Sequence, residues 1–203
     1  MLIRQKAISS NKVDILWCIL LSFRGRGKSD TPKAGYDLED HISDLEAVVQ
    51  HAEVKAFHLF AYSRGVSYAL GYAQQSIGAV RSIMVGDYPA EHRTMPEGWA
   101  DDYIHNYLIP YDRSVNIRTA AVRGIQREST QIPLDRPLEL PILVARGLLE
   151  GSLISDTDLA RYKQMSPSVI VKEYPRSGHA LKGEDKARFF RDLIQFADEQ
   201  DDL

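Results

Sequence analysis

The sequence has only one cysteine, Cys18, among its 203 residues. One cysteine cannot form a disulfide within the chain, and it excludes a cysteine-based metal site. Because Cys18 lies in the apolar run ILWCILL, we interpret it as a small buried hydrophobic residue.

Long hydrophobic runs and clusters of basic residues are also lacking. No window reaches the roughly 20 apolar residues of a membrane span, and the N-terminal stretch MLIRQKAISSNKVD lacks the apolar segment of a signal peptide. Lysine and arginine number 25 against 28 acidic residues and form no patch. We therefore predict a cytoplasmic protein that binds neither a membrane nor nucleic acid, with a small molecule or a protein as its partner.

The chain does contain alternating strand and helix patterns. Its 44% hydrophobic and 26% charged residues are typical of a soluble globular protein, and we predict one domain over residues 1–203. Apolar runs predict strands at 13–23, 56–62, 80–85, 141–146 and 169–174, with helices from 38, 64, 155 and 184. This alternation predicts an α/β fold: a mostly parallel sheet of about five or six strands flanked by helices.

Two helix details are specific enough to test. Ser155 followed by Asp158 is typical of a capping box at a helix start. In the last helix, spacing predicts one buried face, made of Ala187, Phe190, Leu193, Ile194 and Ala197.

Residues 88–139 interrupt the alternation and indicate an inserted helical cap. The segment carries five of the nine prolines and leaves the carboxyl end of a predicted strand, where ligands bind in such sheets. Trp99, Tyr103 and Tyr107 are aromatic residues spaced four positions apart. This aromatic stripe either packs a small helix onto the body or lines a pocket beneath the cap.

Ser63 lies at the join of a predicted strand and a predicted helix, in the sequence Ala61-Tyr62-Ser63-Arg64-Gly65. This sequence matches the G-x-S-x-G nucleophile elbow, with alanine in place of the first glycine. A serine at this position is also a common helix cap, so the motif alone leaves both interpretations open.

A nucleophilic serine needs a base and an orienting carboxylate. Among six histidines, only His179 lies in a loop just beyond a predicted strand, at the sheet edge where Ser63 lies. Glu150 follows another strand at the same edge. The order Ser63, Glu150, His179 is that of serine hydrolases with this strand and helix pattern.

The sequence resembles the α/β-hydrolase family from about residue 14 to its C-terminus, through FRGRGKSDTP, GYDLEDHISDLEAVV, AYSRG, GLLE and SGHAL. The resemblance implies Ser63 as nucleophile, His179 as base and Glu150 as acid, and no metal or organic cofactor. Asp87 is an alternative acid, because some members carry theirs after the sixth strand; we prefer Glu150. With this mechanism the Arg64 N–H stabilises the oxyanion, and Tyr62 joins the aromatic stripe as a candidate pocket residue.

One departure concerns the N-terminus. Family members carry three more strands before the strand matched by 14–23, and a His-Gly type loop that supplies an oxyanion N–H. Only thirteen residues precede Asp14, so the chain resembles an N-terminally shortened member. We expect weak activity. We also expect that the strands at 14–23 and 56–62 pair directly, or that copies associate through an exposed sheet edge.

The sequence thus predicts an enzyme that hydrolyses a carboxylic ester or related acyl bond through an acyl-enzyme. The alternative is a non-enzymatic ligand sensor or interaction protein, or a weakly active relic, on the same fold.

Overall fold

The computed structural model describes residues 1–8, 14–76 and 78–201. The strands are β1 (Leu2–Ile8), β2 (Asp14–Leu20), β3 (Phe57–Tyr62), β4 (Val80–Gly86), β5 (Glu91–His92), β6 (Ile132–Pro133), β7 (Ile142–Gly147) and β8 (Val169–Tyr174). The α-helices are α1 (Leu38–His51), α2 (Gly65–Gln75), α3 (Trp99–Tyr103), α4 (Thr119–Glu128), α5 (Asp156–Met165) and α6 (Lys186–Asp201). A π-helical turn (Ile104–Leu108) follows α3, and a 3-10 turn (Gly183–Asp185) precedes α6.

Six strands form the main sheet in the order β2-β1-β3-β4-β7-β8. The pairs β3–β4, β4–β7 and β7–β8 are parallel, so the predicted mostly parallel α/β fold is confirmed. Because parallel strands share one direction, the segments that follow β3, β4, β7 and β8 all leave the same edge of the sheet.

The N-terminal strand solves the pairing problem that the sequence raised. β1 pairs antiparallel with β2 on one side and with β3 on the other. Direct pairing of β2 with β3 was therefore a wrong expectation, because β1 fills the position between them. This arrangement leaves β2 as the outer strand at one end of the main sheet.

The position of β2 also corrects the interpretation of Cys18, which is exposed rather than buried. Leu20 on the same strand is 77% exposed. Side chains of an edge strand lack a neighbouring strand on one side, which explains why apolar residues remain accessible here.

Helices cover both faces of the sheet. One apolar core joins strand residues to α1 and α2, and a second, on the opposite face, joins Met84 and Leu143 to α6. The predicted capping box at Ser155 is present, with Asp158 as its partner.

The buried face of α6 differs from the prediction. Phe189, Phe196, Leu193 and Ala197 are buried, whereas Phe190 and Ile194 are 48% and 53% exposed. The ring of Phe189 packs edge-on against Phe60 and Tyr174 of the sheet. These aromatic contacts rotate the helix relative to the face that spacing alone suggested.

The segment between β4 and β7, called the cap below, contains α3, α4 and the short β5–β6 ladder. It has a small core of its own, in which Ile104, Leu108 and Ile125 pack with Tyr36 from the body. A β-bridge between Arg26 and Ile117 adds a backbone connection to the loop after β2. None of the described helices is both long and apolar enough to span a membrane.

Candidate active site

Ser63 occupies a strained turn between β3 and α2. Its φ of 54° lies in the left-handed region, which is uncommon for a residue other than glycine. The turn is held by the Ser63 N–H, which donates to Gly86 O at 2.9 Å, and by the Val66 N–H, which donates to Ser63 O at 2.8 Å. Such strain is typical of a nucleophile elbow, whereas an ordinary helix cap has extended backbone angles.

His179 connects this serine to a carboxylate. Its Nε2 lies 3.0 Å from Ser63 Oγ, and its Nδ1 lies 2.9 Å from Asp87 Oδ2. The three residues come from the segments after β3, β4 and β8, which the parallel strands bring to one edge. The predicted contact between Ser63 and His179 is thus present.

The carboxylate on His179 belongs to Asp87 and not to Glu150, so our preference for Glu150 was wrong. The Glu150 side chain is exposed, on the turn after β7, and both ring nitrogens of His179 are already engaged. The backbone of that turn packs closely on the histidine loop: a Cβ added to Gly178 would lie 2.5 Å from Glu150 O. Close packing of the two backbones leaves the Glu150 side chain pointing to solvent.

The turn after β7 instead supplies hydrogen-bond donors to Asp87, which sequence reasoning missed. Ser152 Oγ donates to Asp87 Oδ1 at 2.6 Å, and the Leu153 N–H donates to Oδ2 at 3.0 Å. Complete burial alone would raise the pKa of Asp87, but hydrogen bonds from His179, Ser152 and Leu153 outweigh it and lower that pKa. Asp87 is therefore a buried, ionised carboxylate.

Tyr62 holds the histidine from the other side. Its hydroxyl donates to the backbone oxygen of His179, and the two rings stack with centroids 5.0 Å apart. Burial first, and then the nearby Asp87 carboxylate, raise the pKa of Tyr62, so its hydroxyl remains a donor.

Ser63 opens into a cleft of about 800 Å³ between the body and the cap. Of the predicted pocket residues, Tyr62, Trp99 and Tyr103 line it. Tyr107 is outside its lining; it is 37% exposed and stacks on Tyr103. Two members of the aromatic stripe, Trp99 and Tyr103, therefore face the cleft, whereas Tyr107 lies on the cap outside it.

The backbone N–H of Arg64 is available at the start of α2. Within the described residues it makes no hydrogen bond, and Arg64 lines the cleft next to Ser63. Free N–H groups in the first turn of a helix attract a developing negative charge. This is the position that the sequence predicted for an oxyanion donor.

A second polar cluster lies behind the elbow. Buried His92 is 3.0 Å from Ser67 Oγ through Nδ1 and 3.0 Å from Asp37 Oδ1 through Nε2. Burial first, and then the charge of Arg64, lower the pKa of His92 to about 4, so its imidazole is neutral. Asp37 also accepts hydrogen bonds from Thr130, which links the cap to the start of α1. This cluster fastens the cap to the body.

Several solved structures similar to this one are hydrolases. An esterase (EaEST) from Exiguobacterium antarcticum is 16% identical with a TM-score of 0.70, the match covering 91% of this chain and 81% of that one. A mutant epoxide hydrolase from Bacillus megaterium is 14% identical with a TM-score of 0.68, covering 92% and 84%. The esterase RhEst1 from Rhodococcus sp. ECU1013 is 18% identical with a TM-score of 0.68, covering 91% and 80%.

No protein-family model matches the sequence, and no curated protein is similar enough to count as a match. The likeness therefore lies in three-dimensional structure, over most of both chains. Together with the strand order and the elbow at Ser63, it establishes that this chain has the α/β-hydrolase fold.

Proposed function

We propose that the protein is a serine hydrolase that cleaves a carboxylic ester or a related acyl bond through an acyl-enzyme. Ser63 is the nucleophile, His179 the general base and Asp87 the acid that orients the imidazole. The observation that carries this proposal is the continuous hydrogen-bonded chain from Ser63 through His179 to Asp87, with its serine end in the cleft.

The tautomer of His179 follows from the charge of its partner. An ionised carboxylate can only accept hydrogen bonds, so the imidazole proton lies on Nδ1 and donates to Asp87. Nε2 is then free to accept the proton of Ser63 as the hydroxyl attacks a carbonyl carbon. The imidazolium that forms is stabilised by Asp87, and it returns the proton to the leaving group.

The Arg64 N–H would stabilise the oxyanion of each tetrahedral intermediate. We assign only the Arg64 N–H to this role. An oxyanion hole commonly has two donors, and removing one of them costs about 10² to 10³ in rate. We therefore expect slow turnover. A non-enzymatic ligand-binding role is the competing proposal, and it predicts binding in the cleft without acylation of Ser63.

The proposal is tested by labelling with a fluorophosphonate probe and by turnover of a panel of aryl and alkyl esters. Wild-type protein should be labelled once, on Ser63, and Ser63→Ala should lose both labelling and turnover. Ser43→Ala, in an exposed serine on α1, is the matched control and should behave as wild type. Unlabelled wild-type protein that binds esters without hydrolysing them would favour the ligand-binding role.

A further inference from the structure

The charges that line the cleft all have one sign. Three arginines line it, Arg26, Arg64 and Arg93, and no aspartate or glutamate among the described residues does. The whole chain is acidic, with a formal net charge of −3. A cationic cleft in an acidic protein attracts anionic ligands.

Two of these arginines are engaged in the fold. Arg93 pairs with Glu91 and lies over the ring of Tyr88. Arg64 donates from Nη1 to Arg93 O at 2.7 Å, and its Nη2 lies 3.0 Å from His92 Nε2. The Arg64 guanidinium thus holds the cap against the elbow, and the Arg93 guanidinium is engaged within the cap.

Arg26 is the exception. Among the described residues neither Arg26 nor Arg64 forms an ion pair, but Arg64 makes two short hydrogen bonds, whereas the only side-chain hydrogen bond of Arg26 is a long one, 3.4 Å from Nη1 to Arg24 O. Arg24, two residues earlier in the same loop, is by contrast paired with Asp44 through two short hydrogen bonds. A half-buried guanidinium without an acidic partner retains most of its donors for a ligand.

The backbone around Arg26 is fixed on both sides. Gly25 and Gly27 have φ values of 72° and 51°, and Arg26 forms a β-bridge with Ile117 of the cap. A Cβ on Gly25 would lie 2.2 Å from the Cβ of Ala121, so the loop packs tightly against α4. The guanidinium is therefore presented from an ordered loop at the junction of body and cap, which limits the entropy lost on binding.

The remaining walls suit an apolar chain. Trp99, Tyr103 and Met95 line the cleft on the cap side. Apolar walls with a few placed polar or charged groups are typical of pockets that orient a small ligand.

We propose that the substrate carries a carboxylate, bound by Arg26, in addition to the ester or acyl bond that reacts at Ser63. An apolar segment between the two groups would lie along Trp99 and Tyr103. The planar guanidinium matches a carboxylate in geometry and carries the opposite charge. This inference rests on the proposed function for the identity of the reacting group.

The test separates anion recognition from catalysis by measuring binding in the Ser63→Ala background. Monomethyl suberate and dimethyl suberate differ by one methyl group and one charge, and calorimetry gives the affinity of each. We expect the monoester to bind about 10- to 100-fold more tightly, as is usual for a hydrogen bond to a charged group, with a preference that declines as salt is added.

Arg26→Gln should remove this preference, and Arg26→Lys should retain part of it. The matched control is Arg123→Gln, which removes an exposed arginine of the cap that pairs with Asp101. It should keep the preference. Circular dichroism and the thermal midpoint of each variant report whether it folds.

Three results would each overturn the proposal. The two esters could bind equally, neither could bind at millimolar concentration, or the preference for the monoester could survive in folded Arg26→Gln. Ester hydrolysis by the wild type is measured separately. Charge-selective binding without hydrolysis would support anion recognition and contradict the serine hydrolase assignment. Hydrolysis without charge selectivity would support the serine hydrolase assignment and contradict anion recognition.

Discussion

Replacing Asp87 by asparagine is the sharpest test of the proposed mechanism. Asp87 accepts from His179 and Leu153 through Oδ2, and from Ser152 and, at 3.4 Å, the Gly147 N–H through Oδ1. An asparagine with its oxygen in the Oδ2 position still accepts the first two bonds, and its NH₂ group can donate to the Ser152 hydroxyl. The substitution therefore removes the negative charge and, of these four contacts, loses only the long one from the Gly147 N–H.

The expected loss of rate follows from that charge. An imidazolium and a carboxylate about 4 Å apart attract by about 4 kcal/mol at an effective dielectric constant of 20. Since about 1.4 kcal/mol corresponds to a tenfold change in rate, Asp87→Asn should lower kcat by about 10³. If the NH₂ group instead faces Nδ1, the wrong tautomer forms and the loss approaches about 10⁴.

Glu150→Gln is the matched control, because it makes the same chemical change in the exposed carboxylate that follows β7. We expect a rate within about twofold of wild type and a free energy of unfolding within about 0.5 kcal/mol. The assay is initial-rate kinetics on one aryl ester, with urea unfolding of each variant. A rate above one tenth of wild type for Asp87→Asn, or a hundredfold loss for Glu150→Gln, would refute the assignment of the acid.

Three further predictions concern stability and association. Burial lowers the pKa of His41 to about 4, below its unfolded value of about 6.5, so the unfolded state binds more protons between these pH values. The free energy of unfolding, measured by urea titration, should therefore fall as the pH is lowered through this range, and it should fall less steeply in His41→Gln. An equal pH dependence in both proteins would contradict this prediction. A Cβ at Gly147 would lie 2.3 Å from Gly178 O, so Gly147→Ala should lower both the thermal midpoint and the rate of hydrolysis. A Cβ at Gly65 would have nothing within 4 Å, so Gly65→Ala should leave the midpoint unchanged or raise it. Equal midpoints for the two variants would show that the backbone relaxes around the Gly147 substitution. If copies associate through the edge strand β2, sedimentation should detect dimers that Leu20→Lys weakens, and a wild type that remains monomeric at high concentration would exclude this mode.

The sequence by itself determined most of the strands and helices and the predicted nucleophile and base. Apolar runs and amphipathic spacing located the strands and helices of the body, because burial of one face imposes a period that the sequence must carry. Ser63 and His179 were identified because an elbow motif and a histidine just beyond a strand are local features. Parallel strands then require that both lie at the same edge.

Only the tertiary structure decided between Asp87 and Glu150, since both follow strands that end at that edge. The choice depends on side-chain direction: Asp87 points inward beneath His179, whereas the backbone of the Glu150 turn packs against the histidine loop and its side chain faces solvent. The place of β1 between β2 and β3 is likewise a matter of long-range pairing, for which no local signal exists. The unpaired state of Arg26 is equally invisible in the sequence, because it depends on which carboxylates the fold brings near.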